Sequence, residues 1–343
     1  MGRSPDVRAG PRADPRAMRT TVCDVLGIEV PIIGAPFGPW DSVELAAAIC
    51  AAGGLGSLGT AVRPVPDLRQ QWARLRRLTD RPFAINHQTR PFDEAAFAAS
   101  LAARPAAISF HLGDPGELVA RAHDAGIRWI QQVMDVEQAR QAVRRRVDVI
   151  VAQGGEAGGH SGCIGTMALV PQVVDVAGDI PVMAAGGIAD GRGLAAALAL
   201  GAQGVVMGTR FLATPEMHIS PDWKQMIVDA GSGDAVQAEL LDVLLPPYNR
   251  PHYPALGRVL RTPFLDEWEG RRDELAARAA ELAPAIIRDV MAGAGHDHLP
   301  FAGQSVGLIH QMRPAGDLVR ETVRQAIDAT QQARQVFGVR SAV

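Results

Sequence analysis

Short apolar runs rich in β-branched residues recur along the chain. They are VPIIGAPF (30–37), GLGSLG (54–59), PFAINHQ (82–88), AAISFHL (106–112), RWIQQVM (128–134), VDVIVAQG (147–154), PVMAAGG (181–187) and GVVMGTRF (204–211). Between them the apolar positions take helical spacing, as over 43–52, 92–103, 115–125 and 193–200. Runs that are apolar almost throughout, rather than at alternate positions, mark strands covered on both faces, the condition of a parallel sheet under helices. Eight strand–helix units in succession predict an α/β fold, a (β/α)8 TIM barrel. A doubly wound sheet is the main competitor, but it rarely carries eight consecutive units.

Beyond Phe211 the texture changes. Residues 215–300 are richer in proline, tryptophan and charge, with PPYNRPHYP at 246–254 and a charged helical stretch at 266–283. This pattern predicts a mostly helical second lobe, inserted late in the chain and capping the substrate. FAGQSVGLIH (301–310) and an amphipathic helix over 317–337 then return to close the barrel. The expected organisation is a tail at 1–19, a barrel core at 20–214, the lobe at 215–300 and the return at 301–343. The tail holds five arginines, two aspartates and three prolines without an apolar segment, so it reads as disordered and not as a secretory signal. Met18 is a second candidate start. The uncharged run 45–62 is broken by Gly53, Gly54, Gly56 and Gly59, which fits a helix–turn–strand and not a membrane span.

The 343 residues carry a net charge of −3, which points away from nucleic acid and from anionic membrane surfaces. Lys224 is the only lysine, so arginine supplies nearly all the positive charge. Three scattered cysteines, Cys23, Cys50 and Cys163, make no disulfide framework and fit a reducing cytoplasm. A homodimer is compatible with this composition, which fixes no oligomeric state.

In such a barrel the C-terminal strand ends form the working face. Phosphate is held there by the loops after the seventh and eighth strands, here AAGGIADG (184–191) and VMGTRF (206–211). Gly186, Gly187, Gly208 and the amide and hydroxyl of Thr209 are the candidate donors; the alternative is that these glycines only make tight turns. After the sixth strand comes AQGGEAGGHSG (152–162), five glycines in eleven residues, ending near His160. Glycine costs up to about 1 kcal/mol more to order than alanine, so five together imply backbone lying very close to another group, or turning where a side chain would clash. The loop then delivers His160, whose neutral imidazole suits removal of a proton from carbon. Glu156 is expected to hold the loop by hydrogen bonds.

PIIGAPF, AAGGLGSLG, the strand end at Asn86, AQGGEAGGHSG, PVMAAGGIADG, GVVMGTRF and AGQSVGLI together resemble the ordered motifs of the nitronate monooxygenase (2-nitropropane dioxygenase-like) family, from about residue 21 onward. The resemblance implies an FMN-containing TIM barrel that oxidises alkyl nitronates or nitroalkanes to carbonyl compounds and nitrite with O2. It places Asn86, Gln153 and Gly158 near the flavin, and Ala35, Pro36 and Phe37 by its ring. Gly187, Val206, Met207, Gly208 and Thr209 fall around the phosphate, and Gln131 and Gln132 toward the ribityl chain. EAGGH and AAGGIADG are shared with flavin-dependent enoyl-ACP reductases and NADH:quinone reductases, so an NAD(P)H oxidoreductase is the alternative. The absence of a Rossmann-type GxGxxG decides little between them. Cys163, three residues past His160, raises a distant alternative that resembles inosine-monophosphate dehydrogenase, where a loop thiolate attacks a purine.

Other candidates are weaker. His87 and His111 lie at strand ends, and alternation sends Asn86 and His87 to opposite faces. His296-Asp297-His298 lacks further ligands at useful spacing, so no metal is expected and a polar loop is. Tyr248, His252 and Tyr253 either cap the pocket or form a rigid connector.

Overall fold

The computed structural model describes residues 18–88, 92–111, 113–244 and 255–336. Each of the eight apolar runs contains one barrel strand. Six come first: β1 (Ile32–Gly34), β2 (Gly56–Gly59), β3 (Phe83–Gln88), β4 (Ala107–His111), β5 (Arg128–Val133) and β6 (Val149–Gln153). A short strand β7 (Gly159–Ser161) lies outside the barrel, which β8 (Val182–Ala185) and β9 (Gly204–Met207) complete. The order β1-β9-β8-β6-β5-β4-β3-β2 is parallel throughout. The ring closes between β1 and the start of β2, where the Gly34 amide donates to the Leu55 carbonyl and the Leu55 amide to that of Ile32, both at 2.9 Å.

Alternate residues of each strand enter the ring. Ile33, Ala84, Ala107, Ile130, Val151 and Met183 pack inside it, whereas Ile32, Ile108, Phe110, Trp129, Ile150 and Val205 pack into the helical layer. The helix Thr21–Leu26 lays Val22, Cys23 and Leu26 against the inner set and stops the N-terminal end of the barrel. Outer helices start where a side chain can cap them: Ser42, Asp93 and Asp135 accept from the amides of Leu45, Ala96 and Gln138. The last helix, Ala315–Val336, crosses Gly191–Ala199 so closely that a β-carbon on Gly191 would collide with the Thr322 carbonyl and Ala326 amide. Among the described residues, no helix is long and apolar enough to cross a membrane.

Residues 215–300 form helices at Pro221–Asp229, Pro263–Trp268 and Arg272–Met291. They also supply β10 (Ala235–Gln237) and β11 (Leu256–Leu260), and Arg258 in the middle of β11 breaks the apolar run there. Strand β11 pairs antiparallel with β10 on one edge and with β7 on the other. The loop leaving β6 is therefore a strand of the lobe's own sheet. Leu241, Val259, Leu265, Trp268, Leu275 and Ile286 form a separate core behind it. Trp40, from the loop after β1, ties barrel to lobe: its indole N–H donates to the Val290 carbonyl and its ring meets Trp223 edge-on at 4.9 Å. Tyr248, His252 and Tyr253, residues 1–17 of the tail, and Leu112 at the end of the fourth run lie outside the described residues.

Candidate active site

The open end of the barrel holds a small pocket with Pro36, Ser57, Asn86, Ser109, Gln132 and Val206 in its wall. Strand alternation decides which expected residues reach it. Asn86 points inward, where its amide nitrogen donates to the Ser109 hydroxyl at 2.9 Å and carbonyl at 3.2 Å. Gln132 also points inward and donates to the Gln153 side-chain oxygen, while the Gln153 amide donates to the His160 carbonyl at 3.3 Å. Gln131 does not: it accepts from the Trp129 indole at 3.1 Å and donates to the Gly113 carbonyl at 3.2 Å, behind the strand. A period of two admits only one of the adjacent glutamines, and it is Gln132. By the same rule Val206 lines the cavity while the Met207 side chain enters the outer core. Met207 contributes a backbone carbonyl, which accepts from the Ala35 amide at 2.9 Å.

The segment Ala35–Pro36–Phe37 is fixed by a residue that no motif marked. Buried Asp41 accepts from the Phe37 amide at 2.6 Å and the Gly59 amide at 2.8 Å. Burial pushes its carboxyl above the ordinary range, against the pull of those two amides.

The glycine-rich loop is fastened at both ends. Glu156 accepts from the Thr166 amide at 3.0 and 2.9 Å and the Thr166 hydroxyl at 2.8 Å, capping the helix Thr166–Ala177. Gly158 has no room for a side chain, since a β-carbon there would sit 2.7 Å from the Gly303 nitrogen. His160 follows within β7, opposite Gly257 of β11. Its ring lies 6.4 Å from that of Phe301. Burial, with His111 adding to it, pushes the His160 imidazole down to about 4. His111 is driven to about 4 by burial, partly offset by a hydrogen bond with the His87 backbone. His87 itself faces outward, bonded to the Thr60 hydroxyl at 3.1 Å and the Ser100 hydroxyl at 2.9 Å. His111 and His160 are close enough to interact, while His87 packs on the outer side of β3.

Beside that loop, after the adjacent strand β8, Gly186 (φ +101°) and Gly187 (φ +71°) take the left-handed backbone that only glycine adopts freely. Gly208 differs: its φ of −111° suits any residue, and a β-carbon would meet Ala35 only at 3.5 Å. Thr209 opens the turn Thr209–Leu212, and its hydroxyl oxygen accepts from the Gly303 amide at 2.9 Å, leaving the hydroxyl proton to donate. The Gln304 amide donates to the Glu156 carbonyl at 2.9 Å. The AGQS segment therefore straps the glycine-rich loop to the end of β9. The sequence reading quoted that segment without assigning Gly303 or Gln304 a role. Cys163 is exposed. His296 bonds the Ser220 hydroxyl at 3.0 Å while His298 packs edge-on against Phe264 at 5.3 Å, so the two turn to different neighbours.

A parallel barrel with this mouth defines the class of α/β-barrel oxidoreductases. The chain belongs to the nitronate monooxygenase family, whose model matches residues 19–325. It is 32% identical to a nitronate monooxygenase of Paraburkholderia phytofirmans, across 91% of this chain and 96% of the other. It is 37% identical to a Mycobacterium tuberculosis (3aS,4S,5R,7aS)-5-hydroxy-7a-methyl-1-oxo-octahydro-1H-indene-4-carboxyl-CoA dehydrogenase, across 78% and 72% of the two chains. The fold matches nitroalkane oxidase from Streptomyces ansochromogenes with a TM-score of 0.78 and 28% identity, across 91% and 99% of the chains. Family membership makes the protein a flavin-dependent oxidoreductase.

The buried imidazoles set a pH dependence. Each has a folded pKa near 4, below the unfolded value of about 6.5, so between those values the unfolded chain binds more protons. Stability is full above about pH 6.5 and falls as the pH drops toward 4. Chemical denaturation followed at steps from pH 7.5 to 4.5 should show the midpoint declining through this window. A midpoint constant down to pH 4.5 would contradict the burial of these rings.

Proposed function

We propose that the enzyme uses FMN to oxidise alkyl nitronates and nitroalkanes to carbonyl compounds and nitrite, with O2 as the final acceptor. The feature that carries this reading is His160, set on a paired strand within the loop that leaves β6. The residues present suit FMN. Pro36, Asn86 and Gln132 offer an apolar and polar wall to a flat ring and its ribityl chain. Ala35 and Phe37 flank it, and Gln153 and the bare backbone at Gly158 edge it. Gly186, Gly187, Gly208, the Thr209 hydroxyl and the backbone at Val206 and Met207 would hold its phosphate. Bound there, the flavin supplies two-electron oxidation and passes the electrons to oxygen.

The protein's own task is the proton. When a neutral nitroalkane binds, its α-C–H bond breaks, the proton moves to the His160 imidazole, and the electron pair stays on the substrate as the nitronate. With a pKa near 4 the imidazole is free to accept at any physiological pH. The nitronate formed beside it stabilises the imidazolium and restores the basicity that burial removes. A second reading is favoured by the 37% identity to a carboxyl-CoA dehydrogenase: the same mouth then takes an acyl-CoA thioester.

Two substitutions test the assignment. Gly208→Asp fits the backbone but sets a carboxylate against the phosphate; we expect a folded, colourless protein, and stoichiometric flavin in the variant would show the phosphate lies elsewhere. His160→Asn keeps size and hydrogen bonding but not basicity, and general-base help is worth about 10²- to 10⁴-fold. Anaerobic stopped-flow should show flavin reduction by the neutral nitroalkane slowed by that factor, with reduction by preformed nitronate largely kept. Equal slowing with both substrates would remove His160 from the role of base.

A further inference from the structure

Arg258 stands in β11 opposite Gly159, one residue beyond the Gly257 that faces His160. It belongs to the second lobe, yet its side chain is only 8% exposed. All three guanidinium nitrogens are spent on backbone carbonyls. Nε and Nη2 donate to the Gly155 carbonyl at 3.1 and 2.8 Å, and Nη1 donates to the Ala235 carbonyl at 2.6 Å. Gly155 lies at the root of the glycine-rich loop, and its amide donates to the Ile164 carbonyl at 2.7 Å on the returning side. One residue, Gly155, therefore joins the outgoing loop, the returning loop and the lobe.

The choice of residue is informative. Burial works against the cation and lowers its pKa from the ordinary value, while the Glu156 charge nearby opposes that shift. A buried cation bonded only to neutral carbonyls is a costly way to stabilise a fold. What a guanidinium offers is geometry: a planar fork that grips one carbonyl with two donors and reaches a second group at a fixed angle. Lysine is a single point charge on a flexible stem and cannot reproduce that angle.

We propose that Arg258 is a positioning residue for the proton transfer, its fork on the Gly155 carbonyl fixing the loop so that His160 meets the substrate in one orientation. This rests on reading His160 as the base. The residue touches neither cofactor nor substrate and acts through the loop.

The test uses the flavin-loaded Arg258→Lys enzyme, with Arg258→Gln, which buries no charge, as the second variant should lysine fold poorly. A displacement of about 1 Å costs on the order of 10²-fold in rate. The kcat of flavin reduction by the neutral nitroalkane should fall about 10- to 100-fold, with KM changed less than about threefold and the nitronate rate within about threefold. As the loop loosens into water, the acid limb of the nitroalkane pH profile should move up from near 4 toward about 6.5. In the His160→Asn background, Arg258→Lys should cause no further loss, because both act on one step. Equal slowing with both substrates, an unmoved acid limb, or additive losses in the double variant would overturn the proposal. Failure of the base reading is separately visible, since His160→Asn alone would then slow both substrates alike or neither.

Discussion

Closing eight parallel strands into a ring creates one interior, and a strand sends a side chain into it only at every second position. That constraint decides the composition of the site. It takes Asn86 and rejects His87, takes Gln132 and rejects Gln131, and takes Val206 while sending Met207 to the outer core. The rejected partners are used as packing: His87 bonds two hydroxyls and stacks on Phe110, and Gln131 satisfies the indole of Trp129. With the helix Thr21–Leu26 stopping the other end, the polar inner residues collect at the C-terminal mouth.

What stands over the mouth is set by a different principle, close backbone approach. Gly158 and Gly303 lie so near each other that neither tolerates a side chain. Through this contact and the Gln304–Glu156 hydrogen bond, the C-terminal return holds down the loop that carries His160. The lobe grips the same loop from its other edge, through the pairing of β7 with β11. The proposed base is thus oriented by segments far apart in sequence, none of which need touch a ligand.

The barrel was legible because each strand announces itself locally, as an almost wholly apolar run. The loop-holding hydrogen bonds of Glu156 followed from the texture of a single loop, the one that carries the proposed base. The choice within adjacent pairs was harder: Gln131 and Gln132 are chemically identical, and which one enters the ring depends on where β5 begins, a boundary that the apolar pattern does not fix. Asp41, Gly303 and Arg258 escaped for another reason. Each matters through a partner more than ten residues away, Gly59, Thr209 and Gly155 respectively, and a single sequence records no such pairing.

Chemistry at the mouth follows from low dielectric as much as from residue identity. Burial keeps His160 and His111 uncharged where imidazole would ordinarily begin to protonate, so the site presents acceptors and not cations to an incoming molecule. The central claim is that electrons enter this enzyme from a nitronate and not from a nicotinamide. Anaerobic mixing of the flavin-loaded protein with a preformed alkyl nitronate, and separately with NADH, tests it most directly. The account predicts rapid bleaching of the flavin absorbance by the nitronate and none by NADH on that timescale; rapid bleaching by NADH alone would contradict it.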